Sequence, residues 1–414
     1  FSVIAANATG YQWQISLNGT TWNNLGNGPT YSGVTTSTLT VMNTDLSMNG
    51  HRFRVIVSGT CQPSVTSQVA TLNVLPIITV TAGTVTGCAG SFIVPITVTN
   101  FLNVASASLT LDVNLTSFQY VGFQNLHPAL AGGVGLVNLI NNQIKFSWFS
   151  LFPASLGNGT LFDLVFTSNG GSLNLSWDTL TVGNSQFNML SGVQFPTVFV
   201  NGSVVAYPLP DVFTVNGGGA YCGGGSGVLV GLGGSQAGVS YELMLDGIAT
   251  GTILDGTGSA LSFGLQTAQG SYTVQAMDTT NGCTAMMTGN VSITVLHTPA
   301  VFDVTGGGTL CAGDPGFDIG LNGSETGVTY ELYLDGTATG TTLPGTGAAL
   351  SFGTYTTAGT YTVMATDDTT SCDNMMNGDA VIVVHPVPAV FNVTGGGSFC
   401  DNGIGAEVGL DGSE

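Results

Sequence analysis

The C-terminal half of the chain repeats itself at a fixed period of 89 residues. The stretches that begin at Phe213, Phe302 and Phe391 align without a gap, and each continues into three consecutive glycines, two further residues and a cysteine. Deeper in the unit, GVSYELMLDG (238–247) matches GVTYELYLDG (327–336). Self-similarity at a fixed period indicates tandem units, and 89 residues are enough for each unit to bury its own core. The sequence therefore predicts separately folded modules in a row.

Short apolar runs alternate with glycine-rich turns along the whole chain. VIVV (381–384) is typical, and no run of 18 apolar residues occurs that could form a transmembrane helix. Period-2 alternation with a turn signal every 8–12 residues or so is typical of β-sandwiches. We expect an all-β chain, built as a string of β-sandwich domains of immunoglobulin-like and cohesin-like type with tandem repeats.

Proline-bearing joints and the repeat register divide the chain into five parts. They are a small sandwich (1–76), a longer sandwich (77–207), two complete repeats (208–298 and 299–387) and the start of a third repeat (388–414). The joints read YPLP, HTPA and HPVP, and such short proline-containing linkers are stiff. The first and last parts are interpreted as incomplete domains, so that both ends of the sequence are cuts through a longer polypeptide.

Charge is scarce and unevenly distributed. The chain has 3 basic residues and 23 acidic ones, a formal net charge of −20. Arg52, Arg54 and Lys145 are the basic residues, and residues 211–414 hold 19 acids with no Lys or Arg. A chain with so little positive charge cannot neutralise phosphates, which argues against nucleic acid and anionic membrane as partners. Repulsion between acidic modules favours an extended array.

Cysteines recur at the same place in each repeat. Cys222 and Cys283 are 61 residues apart, and Cys311 and Cys372 repeat that spacing. The constant spacing predicts one disulfide inside each complete repeat, Cys222–Cys283 and Cys311–Cys372, formed in an oxidising compartment. In the chain-entropy model each loop of about 60 residues would stabilise its module by roughly 4 kcal/mol. Zinc is the alternative, but two thiolates without clustered histidines make a poor site, so we expect no metal and no cofactor.

The partners of the remaining three cysteines stay open. Cys61 would need a partner before Phe1, and Cys400 would need one after the last residue of the sequence. Cys88 is either free or bonded to Cys61 across the first domain boundary.

Motifs of the common enzyme classes are missing from the sequence. No nucleophile elbow, phosphate-binding loop or zinc-binding histidine pair is present, and His297 and His385 are interpreted as linker residues before prolines. Asp112, Asp163 and Asp178 fall on different apparent strands, which disfavours the paired carboxylates of a glycosidase. We expect a protein that is not an enzyme.

Three aromatic residues in the second part are candidates for a ligand platform. Trp148 and Phe149 are neighbours in SWFS, and Trp177 lies in the later strand GSLNLSW. Neighbouring residues of a strand face opposite sides of the sheet, so one of Trp148 and Phe149 should point outward. Core packing is the alternative, and it is the favoured one.

Two of the predicted sandwiches resemble known modules. The stretches YQWQISLNGTTWNNL and HRFRVIVSGTC place a tryptophan on an early strand and an aromatic strand before a cysteine, which are immunoglobulin-like features. They resemble the immunoglobulin-like modules of very large secreted proteins of the Bacteroidetes. VPITVTNF, NNQIKFSWFS and the closing VNGSVV resemble cohesin-like and related carbohydrate-binding sandwiches. That resemblance implies a polysaccharide or a dockerin-like partner for residues 77–207.

The repeats carry the most specific resemblance. GGG-x-x-C, YEL-x-L-D-G and G-x-YTV-x-A are similar to repeats of giant Bacteroidetes surface proteins, including gliding-motility adhesins exported by the type IX secretion system. The resemblance implies a secreted protein at the exterior of the outer membrane. Its expected function is structural and adhesive: an acidic, disulfide-stabilised stalk that contacts an extracellular surface, polysaccharide or neighbouring filament subunits. The alternative is a binding module, residues 77–207, carried on such a stalk.

Three Asp-Thr tripeptides, one reading DTL and two reading DTT, resemble the O-glycosylation signal of the Bacteroidetes. The resemblance implies sugar on Thr179, Thr279 and Thr369. The motif is short and the chain is rich in threonine, so chance matches are expected as well.

Overall fold

Strands make up almost all of the regular structure. The computed structural model describes residues 1–413, and within that range it contains 39 strands and two 3-10 helices of three residues each. The predicted all-β fold is confirmed. Two compact units are present: Phe1–Leu209 together with Thr280–Cys283, and Pro210–Thr279 together with the chain from Thr284 onward. None of the helices in the described residues is long or apolar enough to cross a membrane.

The first 76 residues form a five-stranded sheet and a two-stranded ribbon. The strands are β1 (Ala8–Ser16), β2 (Asn23–Asn24), β3 (Tyr31–Ser32), β4 (Thr40–Val41), β5 (Arg52–Gly59), β6 (Val65–Thr66) and β7 (Ala70–Thr71), with a 3-10 helix at Leu46–Met48. The sheet order is β2-β1-β5-β6, β7 also pairs with β5, and β3 pairs with β4. Alternation along β1 buries Trp13, whose indole N–H donates to the carbonyl of Thr36 at 2.9 Å. Trp22 lies under the guanidinium of Arg54, 4.1 Å from the ring centroid.

The second sandwich has two complete sheets. Its strands are β8 (Ile78–Ala82), β9 (Thr84–Cys88), β10 (Gly90–Phe101), β11 (Val104–Val113), β12 (Phe118–Gln124), β13 (Val134–Ile140), β14 (Gln143–Ala154), β15 (Gly157–Ser168), β16 (Gly171–Trp177), β17 (Gln186–Asn188), β18 (Thr197–Val200) and β19 (Gly202–Tyr207), with a 3-10 helix at Pro128–Leu130. One sheet has the order β12-β15-β10-β8-β18, and the other has the order β13-β14-β11-β16-β19-β9 with β17 on β11. Period-2 alternation along the long strands supplies the core: Phe146 of β14 and Phe162 of β15 meet across the sandwich at 4.8 Å between ring centroids.

The two repeats fold alike. The first has β20 (Val215–Gly217), β21 (Gly219–Cys222), β22 (Val228–Leu232), β23 (Val239–Leu245), β24 (Ile248–Asp255), β25 (Leu261–Gln266), β26 (Gly270–Asp278), β27 (Thr284–Met286) and β28 (Val291–Leu296). The second has β29 (Val304–Thr305), β30 (Gly308–Cys311), β31 (Phe317–Leu321), β32 (Val328–Leu334), β33 (Thr337–Pro344), β34 (Leu350–Tyr355), β35 (Gly359–Asp367), β36 (Asp373–Met375) and β37 (Ala380–His385). From β23 and β32 onward the paired strands are offset by 89 residues at both ends. A third copy begins with β38 (Val393–Gly395) and β39 (Val408–Leu410).

Each repeat packs a three-stranded sheet on a larger one. The small sheets are β20-β22-β25 and β29-β31-β34; the large ones are β21-β28-β26-β23-β24 with β27, and β30-β37-β35-β32-β33 with β36. Buried tyrosines sit at matching positions in the two cores, and Tyr241 and Tyr330 satisfy their hydroxyls by accepting the backbone N–H of Gln236 (2.8 Å) and of Glu325 (2.9 Å).

A short early strand lies parallel to the last strand of three modules. In the second sandwich β9 pairs with β19, in the first repeat β21 pairs with β28, and in the second repeat β30 pairs with β37. Each early strand ends on a cysteine opposite the end of the last strand. The three facing pairs are Cys88 with Tyr207, Cys222 with Leu296, and Cys311 with His385. Each module therefore presents a cysteine where its chain leaves.

Candidate functional site

Two disulfides connect successive modules. Cys88 bonds to Cys283 with a Cα–Cα distance of 5.5 Å, and Cys222 bonds to Cys372 at 5.6 Å. The predicted pairing inside each repeat is therefore wrong, and Cys88 has a partner other than Cys61. The free cysteines of residues 1–413 are all exposed: Cys61, Cys311 and Cys400. We call the Cys88–Cys283 and Cys222–Cys372 bonds the joint disulfides.

Strand direction explains why the pairing inside a repeat fails. Cys222 lies opposite Leu296, at the end of the large sheet where the chain leaves the first repeat. Thr284, which follows Cys283, pairs with Met277 at the other end of the same sheet. The registers place these ends about ten residues apart, or roughly 30 Å. A disulfide requires Cα atoms within about 7 Å, so each cysteine bonds outside its own repeat.

Hydrogen bonds hold the linker between the two repeats on both sides. On the side of the first repeat, the N–H of Gly223 donates to the carbonyl of Leu296 at 3.0 Å, and the hydroxyl of Thr298 donates to the carbonyl of Gly223 at 2.9 Å. On the side of the second repeat, the amide of Asn374 donates to the carbonyl of Pro299 at 2.8 Å. Together with the disulfide, these bonds restrict the linker over its whole length.

The loop that carries Cys372 is ordered by a carboxylate. Asp367 accepts hydrogen bonds from the backbone N–H groups of Thr369 and Thr370, both at 2.8 Å, and its own N–H donates to the carbonyl of Cys372 at 2.9 Å. The Thr370 N–H, His297 and the Thr369 N–H, in that order, hold the pKa of Asp367 well below its ordinary value of 3.8. The carboxylate therefore stays ionised and keeps the loop closed around the cysteine.

Peptide mapping of the unreduced protein should recover the joint disulfides. We expect linked peptides that contain Cys88 with Cys283 and Cys222 with Cys372. Alkylation before digestion should label Cys61, Cys311 and Cys400, because their thiols are free and exposed. Linked peptides that pair Cys222 with Cys283, or label on Cys222 and Cys372, would contradict this arrangement.

Two of the three predicted platform residues are core residues. Trp148 is 3% exposed and Trp177 is 8% exposed, and their indole N–H groups donate to the carbonyls of Leu130 and Val200, both at 2.9 Å. The ligand-platform alternative is therefore wrong for these two residues and the favoured one, core packing, is right, because each ring fills the sandwich interior and has its polar atom satisfied there. Phe149 is 51% exposed and points outward, as alternation requires.

Phe149 belongs to an exposed apolar patch that the sequence did not reveal. Val134 on β13 lies directly opposite Phe149 on β14, and Leu136 follows two residues along the same face. Leu151 lies two residues after Phe149 on β14, and all four side chains are exposed. We call Val134, Leu136, Phe149 and Leu151 the β13–β14 patch. Exposed apolar patches are typical of binding surfaces.

The three predicted glycosylation threonines are accessible. Thr179, Thr279 and Thr369 are exposed and lie in turns or loops. Just before the first, the side chain of Asn184 and groups of Thr181 lower the pKa of Asp178 to about 2. These placements are compatible with modification, and sugar on the threonines stays a prediction.

Two acidic residues of the second sandwich, Asp112 and Asp163, lie in different sheets. Asp112 lies on β11 and accepts from Gln143 at 2.8 Å, and Asp163 lies on β15 in the other sheet and accepts from Asn125 at 2.8 Å. Over the part of the chain that the structure describes, no group of three or more His, Cys, Asp or Glu residues could hold a metal ion.

No protein-family model matches the sequence, and neither does any curated protein. Solved structures similar to part of the chain are cohesin modules. A non-cellulosomal cohesin from Archaeoglobus fulgidus is 18% identical, with a TM-score of 0.27, covering 32% of this chain and 91% of its own. The seventh ScaB type I cohesin from Pseudobacteroides cellulosolvens is 16% identical, with a TM-score of 0.28 and coverage of 32% and 93%. A type III cohesin of ScaE from Ruminococcus flavefaciens is 11% identical, with a TM-score of 0.28 and coverage of 32% and 88%. At these values the similarity has no bearing on function.

Proposed function

We propose that this chain is a structural and adhesive segment of a large cell-surface filament or adhesin, in which the joint disulfides hold the modules in series as a stalk. The observation that carries the proposal is the placement of both disulfides: Cys88–Cys283 and Cys222–Cys372 connect consecutive modules, and neither closes a loop inside one module. A bond placed there restricts motion between modules and contributes less directly to the fold of either one.

The chemistry of the joints supports a load-bearing role. A linker held by hydrogen bonds to both repeats has little freedom to hinge, and a covalent cross-link limits that freedom further. The 19 acids in residues 211–414, without any Lys or Arg, would keep neighbouring stalks apart by repulsion. Cys311 occupies in the second repeat the position of Cys222 in the first, and its thiol is free and exposed. It could therefore form an equivalent disulfide with a module that has a cysteine in a loop like that of Cys372.

The setting of the proposed stalk follows from the disulfides and from the resemblance of the repeats. Disulfides of this kind are typical of proteins that fold outside the cytoplasm. We place the protein on the exterior of the outer membrane, as a glycosylated cargo of type IX secretion that functions in surface attachment or gliding. Its partners would be an extracellular surface, polysaccharide or neighbouring filament subunits, and it would catalyse no reaction.

The β13–β14 patch favours a second function, that of a binding module carried on the stalk. Four exposed apolar side chains on adjacent strands, with Val134 directly opposite Phe149, form a surface that a protein or a polysaccharide could cover. In this alternative the second sandwich recognises the partner and the repeats only hold it at a distance.

Single-molecule energy transfer between dyes on the two repeats tests the stalk. Ile248 and Thr337 are exposed and occupy equivalent places in the two repeats, so they suit bioorthogonal dyes. We expect a narrow distance distribution in the oxidised full-length chain and a broader one in the Cys222→Ser, Cys372→Ser variant. Equal widths in the two proteins would contradict a role of the disulfide in stiffening the joint.

A further inference from the structure

The linker residue His297 contacts two carboxylates of the second repeat. It directly follows Leu296, the last residue of β28. Its Nδ1 is 2.8 Å from an oxygen of Asp367, and its Nε2 is 3.2 Å from an oxygen of Glu325. The carbonyl of His297 also accepts the hydroxyl of Thr370 at 2.9 Å. One residue at the end of the first repeat thus contacts two separate loops of the second.

The chemistry of these contacts favours the protonated form of the His297 imidazole. Ionised carboxylates only accept hydrogen bonds, and a neutral imidazole can donate from only one of its nitrogens. Both ring nitrogens of His297 face carboxylate oxygens, so both contacts are favourable together only when both nitrogens carry a proton. The arrangement therefore favours a charged imidazolium between Asp367 and Glu325, and we call these three side chains the His297 bridge.

The bridge is particular to this joint. At the repeat period of 89 residues, the positions equivalent to His297 are Pro208 and Pro386, neither of which can form ion pairs. Gln236 takes the place of Glu325 in the first repeat. No Lys or Arg occurs in residues 211–414 that could replace the histidine as a partner for these carboxylates.

We propose that the joint between the two repeats is pH-responsive, with the His297 bridge tightening it when the imidazole is protonated and loosening it when the imidazole is neutral. This inference rests on the proposed function in one respect: it takes the stiffness of the joint between the two repeats to matter for the stalk. Because Asp367 also orders the loop that carries Cys372, loss of the bridge would loosen that loop beside the joint disulfide.

The sign of the pH dependence follows from the two partners. The hydrogen bond to Asp367 and the charges of Glu325 and Asp367 raise the pKa of His297 above its ordinary value of 6.5. A raised pKa means that the stabilisation is complete below about pH 6.5 and is lost as the pH rises through the higher value of the folded protein. The pKa of Asp367 is lowered, so its share is present above about pH 3.8 and is lost only in stronger acid. Asp368, the next acid along the chain, is bonded to the hydroxyl of Thr329.

The test is an NMR titration of the full-length oxidised chain with labelled histidine, together with amide hydrogen exchange. The chain has four histidines, so each ring signal can be assigned from a His→Gln variant. We expect His297 to titrate above pH 6.5, and Glu325→Gln, which copies the first repeat, to lower its pKa. Protection of residues 367–372 should fall about two- to five-fold as the pH rises through that pKa, as expected for a partly exposed ion pair.

The variants separate the inference from the proposed function. His297→Gln should show the lower protection at every pH, whereas His385→Gln should leave residues 367–372 unchanged. Titration of His297 at or below pH 6.5, with equal protection in wild type and His297→Gln, would overturn the inference. Peptide maps of the same unreduced samples report on the Cys222–Cys372 bond separately. If that bond were missing, the proposed stalk held by joint disulfides would be contradicted, but the result of the His297 titration would still apply.

Discussion

Pulled from its two ends, the oxidised chain is expected to stop extending roughly 750 Å short of the reduced chain. The reason is the order of the cysteines, since Cys222 lies inside the loop closed by Cys88–Cys283 and Cys372 lies outside it. The two loops therefore overlap. The shortest covalent path from Cys88 to Cys372 crosses to Cys283, returns along 61 residues to Cys222 and crosses again.

The lengths that the bonds hide distinguish the possible pairings. Without disulfides, 284 residues separate Cys88 from Cys372, so reduction adds 223 residues to the extensible path. Each bond alone hides 195 or 150 residues, equal to about 660 Å or 510 Å at full extension. Because the loops overlap, the joint effect is much smaller than the sum of the two. Pairing inside each repeat would hide only about 410 Å.

The measurement is force spectroscopy on the full chain with the three free cysteines changed to serine. Matched variants remove one bond each: Cys222→Ser with Cys372→Ser should hide about 660 Å, and Cys88→Ser with Cys283→Ser about 510 Å. Additive lengths would show that the loops do not overlap, and a value near 410 Å would restore pairing within the repeats. If the overlap holds, covalent bonds carry a pulling force past most of the second sandwich and past most of the second repeat, while residues 222–283 of the first repeat stay in the loaded path.

The all-β fold could be predicted from the sequence because each strand and turn of these repeats is specified by residues close together in the chain. Alternation along stretches such as SYTVQAMD and TYTVMATD sets which residues face the core, and the structure places strands there with an offset of 89 residues. Turn chemistry is local in the same way: Asp246 and Gly247 both have positive φ, as an Asp-Gly dipeptide favours, and they join β23 to β24 as a two-residue hairpin.

The cysteine pairing could not be predicted because it depends on strand direction. A spacing of 61 residues recurs whenever equivalent positions recur, whether a cysteine bonds within its repeat or to the next one. The deciding fact is that β21 runs parallel to β28, which carries Cys222 to the end of the sheet farthest from Cys283. No local pattern in GGGAYC distinguishes a strand that pairs in parallel from one that pairs in antiparallel.

The His297 bridge and the β13–β14 patch were missed for related reasons. His297 meets Asp367 and Glu325 only after three distant segments have folded, and the sole signal in the sequence is a histidine where the other joints have proline. In QIKFSWFSLF, apolar residues occur at both parities, so alternation gives two faces and does not say which one is buried. That ambiguity matters most for Trp148 and Phe149.

Replacing Trp148 with alanine should destabilise the second sandwich by about 3–5 kcal/mol, as is usual for a buried tryptophan. The ring is 3% exposed and donates to the carbonyl of Leu130 at 2.9 Å. Two glycines around the start of the neighbouring strand β13 leave room for the Trp148 ring. A Cβ on Gly133 would lie 2.4 Å from the indole nitrogen, and one on Gly135 would lie 3.2 Å from Cδ1. Truncating Trp148 to alanine therefore leaves a cavity next to Gly133 and Gly135, which have no side chains to fill it.

Phe149→Ala, one residue further along β14, is the matched control. Its ring is 51% exposed, so the change should alter stability by less than about 1 kcal/mol. Denaturation curves and hydrogen exchange over residues 143–154 of the full chain measure both effects. Similar losses of stability in the two variants would contradict the assigned faces.

Comparing the wild type with Phe149→Ala also separates the two proposed functions. A binding module should lose its ligand on a glycan array or in a protein pull-down when Phe149 alone is changed. If the second sandwich serves only as part of the stalk, Phe149→Ala would behave as the wild type does in both assays, because the β13–β14 patch would then contact no ligand.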